Sequence, residues 1–76
     1  MKELLEFVVK SIVRNKDDVR VEEKQDGKAK IFYVYVNKAD IGGVIGKGGN
    51  TAQAIRTIVK SFKSRERVVI KFDSIE

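Results

Sequence analysis

The residues most suited to chemistry lie in "VIGKGGN", positions 44–50, where Gly46, Lys47, Gly48 and Gly49 stand between two stretches of helical periodicity. Glycine in a helix interior costs about 1 kcal/mol relative to alanine, so this concentration marks a break in which backbone is left bare. Bare backbone beside a lysine suits an anion, and three readings follow: a phosphate cradle, a nucleotide-binding loop or a plain inter-helix turn. The nucleotide-binding spacings fail. A Walker loop needs Gly five positions before Gly46 and Ser or Thr after Lys47; the chain has Ile41 and Gly48 there, and the loop follows a helix instead of a strand. A Rossmann fingerprint needs glycine at 51, which is Thr51.

What remains physically is a Gly-x-x-Gly turn with little side-chain bulk, which a polymer backbone can approach closely. A helix starting just after Gly49 offers free N–H groups and a partial positive charge to phosphate, and Lys47 adds a full charge. Ile45, Ala52 and Ile55 can floor an apolar groove on which bases lie flat, the arrangement of a single-stranded nucleic-acid site. A Gly-rich turn between antiparallel helices is also a common connection with no further role. The basic tip and the apolar stripes on both sides favour the functional reading.

The rest of the composition narrows the chemistry. The chain of 76 residues has no His and no Cys, which removes the commonest general base, the commonest metal ligands and any disulfide. No catalytic residue and no metal or cofactor site is expected. Net charge is +5: residues 31–76 carry eight Lys/Arg against four Asp/Glu, and residues 1–30 eight against seven. The excess sits in the half that holds the glycine loop, as a polyanion partner requires. No apolar run approaches the roughly 18 residues of a membrane span, and the N-terminus does not read as a signal peptide, so a cytoplasmic protein without a membrane partner is expected. Asp17, Asp18, Glu22 and Glu23 lack calcium-loop spacing and read as surface.

The elements that position the loop follow from periodicity. Leu4, Leu5, Val8, Val9, Ile12 and Val13 predict an amphipathic helix over 2–14, broken by "NKDD". Val19 and Val21 predict a short strand, and Asp26-Gly27 within "QDG" a hairpin. Residues 28–36, "KAKIFYVYV", predict a central strand with Phe32, Val34 and Val36 on one face and Ile31, Tyr33 and Tyr35 on the other. Asn37 is a candidate cap for a short helix carrying Ile41, Val44 and Ile45, and Asn50 with Gln53 resembles a capping box. Ala52, Ile55, Ile58, Val59 and Phe62 mark the next helix face, and Val68, Ile70 and Phe72 a last strand. The order α-β-β-α-α-β in so short a chain predicts one α+β two-layer domain over 1–76.

These residues carry a resemblance. "VIGKGGNTAQAIRTIV" resembles the signature of KH domains, in which an Ile-Gly-x-x-Gly loop joins two helices, and the element order resembles the type II arrangement. With "MKELLEFVVKSIV", "VRVEE" and "AIRTIVKS", the chain over about residues 1–73 is similar to the small bacterial single-KH RNA-binding proteins, the KhpA-like family. The resemblance implies three helices packed on one face of a three-stranded mixed sheet. It implies a non-enzymatic protein that clamps the backbone of about four unpaired nucleotides of single-stranded RNA. Carried over by position, Gly46, Lys47, Gly48 and Gly49 form the clamp beside Asn50. Ile45, Ala52 and Ile55 line or support the groove, and Arg56 is a second cation. It further implies an RNA chaperone or post-transcriptional regulator linked to cell elongation and division, acting as a homodimer or with a larger RNA-binding protein and without a small-molecule substrate. Related sequences often carry Lys or Arg where this chain has Gly43 and Asn50, which implies weaker phosphate attraction here.

Two further features have competing readings. "KIFYVYV" lacks the glycines of an RRM stacking strand, so Tyr33 and Tyr35 read first as packing residues and next as an exposed patch for dimerisation. Lys60, Lys63, Arg65, Arg67 and Lys71 form a solvated basic segment or an auxiliary phosphate contact.

Overall fold

The computed structural model describes residues 2–61 and 67–75. Helix α1 (Lys2–Lys10) leads into strand β1 (Arg20–Asp26) and strand β2 (Ala29–Asn37). The short helix α2 (Ile41–Ile45), helix α3 (Asn50–Lys60) and strand β3 (Arg67–Ile75) follow. The sheet order is β1-β2-β3, with β1 antiparallel and β3 parallel to β2. The predicted α+β order and the central place of the 28–36 strand are both met.

Alternation along β2 divides the molecule. Phe32, Val34 and Val36 are fully buried under the helices. Leu5 and Val9 of α1, Val44 of α2, Ile55 and Val59 of α3, and Ile70 of β3 close over them, so all three helices lie on one side of the sheet. Burying each such side chain contributes about 1.5–3 kcal/mol. On the other side Ile31, Tyr33 and Tyr35 are half-buried, with no helix above them. Toward the hairpin turn the helix-facing side carries a Glu23–Lys30 ion pair at 3.9 Å, with Glu23 opposite Phe32, a surface pair of the kind worth about 0–1 kcal/mol.

Several boundaries differ from those the sequence predicts, each for a local reason. Helix α1 ends at Lys10 instead of 14. Turns carry the chain to the buried Val13, whose N–H still reaches Val9 O at 3.2 Å. The next two amides bond elsewhere: Arg14 N–H donates to Asp40 Oδ1 (3.3 Å) and Asn15 N–H to Asp40 Oδ2 (3.0 Å). The hairpin turns at Gly27-Lys28, one residue later than Asp-Gly. Gly27 takes φ +59° and, among the described residues, no non-glycine residue has positive φ, as a II′ turn with glycine first requires. Asn37 does not cap α2. Its Oδ1 accepts the Ala39 N–H at 2.8 Å in a turn, and the residue before the helix is Asp40.

Candidate nucleic-acid interface

Helix α2 is only five residues long, IGGVI, and its burial rests on Val44, with Ile41 partly covered. Gly46 ends it with φ 75° and ψ 166°, a conformation essentially restricted to glycine, while its N–H donates to Gly42 O at 2.9 Å. A Cβ on Gly46 would lie 2.8 Å from both Cβ and N of Thr51 and closer still to its Oγ1. Gly46 is therefore fixed by backbone and by contact together. The chain then makes a 3-10 turn over Lys47–Gly49, closed by Gly49 N–H to Gly46 O at 3.1 Å. Gly48 (φ 68°, ψ 17°) and Gly49 (φ 77°, ψ 11°) are both left-handed, and a Cβ on either would meet open space. Three positive-φ glycines within four residues thus present bare backbone, and two of them face nothing.

Helix α3 begins from Gly49, not from Asn50. Asn50 is its first helical residue, and no side chain caps its N-terminus, so the expected Asn50–Gln53 capping box does not form. A glycine cap has no side-chain acceptor, so the first amides of α3 are left for solvent or a ligand. The same bareness extends back along α2, where Gly42 and Gly43 are exposed and a Cβ on either meets nothing.

The other predicted site residues separate into two sets. Ile45 is 41% exposed at the loop's edge and Asn50 is exposed beside it. Ala52 and Ile55 are 3% and 1% exposed; they belong to the core and support the loop from beneath. Arg56 turns toward the sheet. Its Nη2 donates to Ile70 O at 3.3 Å and its guanidinium lies 5.5 Å from the Phe72 ring centre, so it packs on β3. Of the basic segment 60–71, Lys60, Arg67 and Lys71 are exposed, and Lys63 and Arg65, like Phe62, lie outside the described residues.

Asp40 is the residue whose role the sequence reading missed. It is 8% exposed, accepts the backbone amides of Arg14 and Asn15, and takes a third bond from Asn15 Nδ2 at 3.0 Å. The Asn15 amide, then the Asn15 side chain, the Arg14 amide and the Arg14 charge, hold its carboxyl below the usual 3.8 against the opposing effect of burial. Its own carbonyl accepts Val44 N–H at 3.1 Å, so one residue ties the start of α2 to the chain after α1. It is also the one acid between residues 38 and 61, a stretch that holds Lys38, Lys47, Arg56 and Lys60. With its carboxylate bonded to Arg14 and Asn15, that acid is held by the chain after α1.

Among the described residues no helix is long and apolar enough to cross a membrane, and no group of His, Cys, Asp and Glu could hold a metal ion. No solved structure matches the chain. The chain is 40% identical over 76 residues to an RNA-binding protein KhpA of Chlamydia pneumoniae, covering all of this chain and 97% of that one. It is 37% identical to the KhpA of Halalkalibacterium halodurans over the full length of both. It is 45% identical over 64 residues to that of Leifsonia xyli, covering 84% of each. The family model described as KhpA/KhpB, KH domain matches residues 2–73, and the chain belongs to that family of KH-domain RNA-binding proteins.

Proposed function

We propose that residues 1–76 act as one KH domain that clamps short single-stranded RNA without catalysis, with the Gly46–Gly49 loop as the clamp. The observation that carries this is an uncapped α3 N-terminus preceded by a loop of left-handed glycines with open space over Gly48 and Gly49. Phosphates approach that bare backbone and the first amides of α3, with Lys47 as the loop's cation, and bases rest against Ile45. Asn50 flanks the phosphate path. Ala52 and Ile55 act as the support beneath the groove. Arg56 contributes charge at longer range while its guanidinium stays on Ile70 O.

The test is filter binding with short unstructured RNA, comparing the native chain with a Lys47→Asp, Gly48→Asp double variant. Asp tolerates the left-handed region better than most residues and Gly48 has room for it, so the fold is retained. The expected result is loss of binding with an unchanged circular dichroism spectrum. Equal binding by the variant would remove the loop from the site.

The relatives' name carries RNA binding to this chain. The charge and the lack of a membrane-spanning helix among the described residues fit a cytoplasmic RNA chaperone or post-transcriptional regulator. A second reading, an association module pairing with itself or a larger KH-type protein, is favoured by one observation: the sheet face left uncovered opposite the helices.

A further inference from the structure

Both tyrosines of the chain, Tyr33 and Tyr35, lie half-buried on the uncovered sheet face, and the chain has no tryptophan. Arg20, Glu22, Lys24 and Asp26 of β1 share the face, because their neighbour Val21 is buried opposite Val34 on the helix side. So do Arg67, Lys71 and Asp73 of β3, which pair with Ala29, Tyr33 and Tyr35. Tyr33 has an ammonium group from each neighbouring strand beside it, Lys24 at 5.4 Å and Lys71 at 6.0 Å from its ring centre. An aromatic ring between cations is the unit of a sequence-tolerant single-strand site: the ring stacks a base and the cations take phosphates. A base stacked on a ring outweighs an exposed ammonium over the same ring. A strand can therefore displace a lysine from Tyr33 and offer it a phosphate in exchange.

The acids on the face sort backbone from bases. The row of Lys24, Ile31 and Val69 carries no acid. Beyond Tyr33, Glu22 and Asp73 line a shallow hollow together with Arg20, Tyr35 and Ser74. Carboxylates repel phosphate and accept from base amino groups such as N4 of cytosine. Phosphates are thus drawn to Lys24 and Lys71, and bases to the tyrosines and the hollow. A route from the glycine loop exists. Helix α2 lies against β3, the edge strand of the sheet. At that strand Arg56 donates to Ile70 O, and the next residue, Lys71, reaches Tyr33 on the other face. Arg56 and Lys71 therefore stand in succession around β3, between the helix side and the tyrosines.

We propose that the sheet face is a second contact for single-stranded RNA. A strand held at the glycine loop rounds β3 past Arg56, gives its phosphates to Lys71 and Lys24, and stacks bases on Tyr33 and Tyr35. The proposal rests on the glycine-loop reading for the strand's entry. It lengthens the footprint beyond the roughly four nucleotides of one clamp, so it acts only on strands long enough to reach both faces.

With both tyrosines on this face and no tryptophan, intrinsic fluorescence reports the sheet face and not the loop. The full chain is titrated with oligocytidylates of about 4 and about 16 nucleotides, and emission is corrected for absorption by the RNA. The longer RNA is expected to quench the tyrosines and the shorter to leave them unchanged. In parallel filter binding, Tyr33→Val keeps a β-branched residue in the strand and is expected to lose roughly tenfold in affinity for the longer RNA, the size of one lost stack. Its affinity for the shorter RNA is expected to stay native, and Tyr33→Phe, which keeps the ring, is expected to bind both as the native chain does. Lys71→Gln is expected to flatten the salt slope for the longer RNA by about 0.7. Circular dichroism of each variant checks the fold. Bound longer RNA with unquenched tyrosines, native affinity in Tyr33→Val or an unchanged slope in Lys71→Gln would each overturn the proposal. So would tyrosine emission that changes with protein concentration alone and not with RNA, which would give the face to a second copy. The glycine-loop reading fails by a different result: native binding of the shorter RNA by the Lys47→Asp, Gly48→Asp variant.

Discussion

The Asp40 carboxylate accepts three hydrogen bonds from Arg14 and Asn15, and its backbone starts α2, so the loop's position depends on an anion placed one turn away. Its pKa lies below 3.8, the Asn15 amide being the largest cause, so the folded state favours the ionised form more than the unfolded state does. The resulting stability is fully present above the unfolded value and is lost as pH falls through the folded value. Asp40→Asn offers an amide donor to groups that are themselves donors. The variant is therefore expected to melt below the native chain at pH 7, with the gap narrowing once pH falls below the unfolded carboxylate value of about 3.9 and closing through the lower folded value, where the native residue becomes protonated. Thermal unfolding followed by circular dichroism across that range checks this. A gap constant with pH would place the cost in packing instead of charge. Gly46 differs in kind: its φ and ψ and the proximity of Thr51 fix glycine whatever the pH.

At the scale of elements, α2 is too short to stand alone. Isolated helices shorter than about 12–15 residues are marginal, and each of its two glycines costs about 1 kcal/mol more. Val44 in the core and Asp40 at its start hold it in place. The glycines leave its outer surface bare next to the loop, so Gly43→Lys, with open space for its side chain, tests two effects at once. The variant is expected to be more stable by about 0.5–1 kcal/mol, which for a domain of this size raises the melting temperature by a few degrees. If the surface lies on the phosphate path, it also binds RNA more tightly, with a salt slope steeper by about 0.7. Greater stability with unchanged RNA affinity would take that surface off the path. The legibility of these elements tracks how local their causes are. The Phe32/Tyr33 alternation reports its own burial, so β2 and its two faces are readable directly, as are the loop glycines. The end of α1 is set by a carboxylate some 25 residues away, and the Asn50 cap is displaced by a left-handed Gly49. Neither leaves a periodic mark. Arg56 reads as a free cation because its partner, the Ile70 carbonyl, lies 14 residues on.

At the scale of the whole molecule, two layers keep two surfaces apart: the helix side carries the glycine loop, and the sheet side the lysine-flanked tyrosines. Under the proposed clamp, nucleic-acid affinity on the first is governed by how many phosphates are neutralised, since released counterions make binding fall with salt. A footprint of about four nucleotides presents about three phosphates, so log K against log salt is expected to have a slope near −2 for a single strand. A slope near zero would mean that bases on Ile45 dominate instead of backbone capture. The same titration has a pH signature. The chain has no histidine, and the lowered pKa of Asp40 keeps it ionised well below neutrality. With no histidine to change charge, affinity for RNA at constant salt is expected to be flat from about pH 6 to 8. Binding measured by fluorescence anisotropy at five or six pH values in that window checks it. A fall of tenfold or more across the window would overturn this expectation.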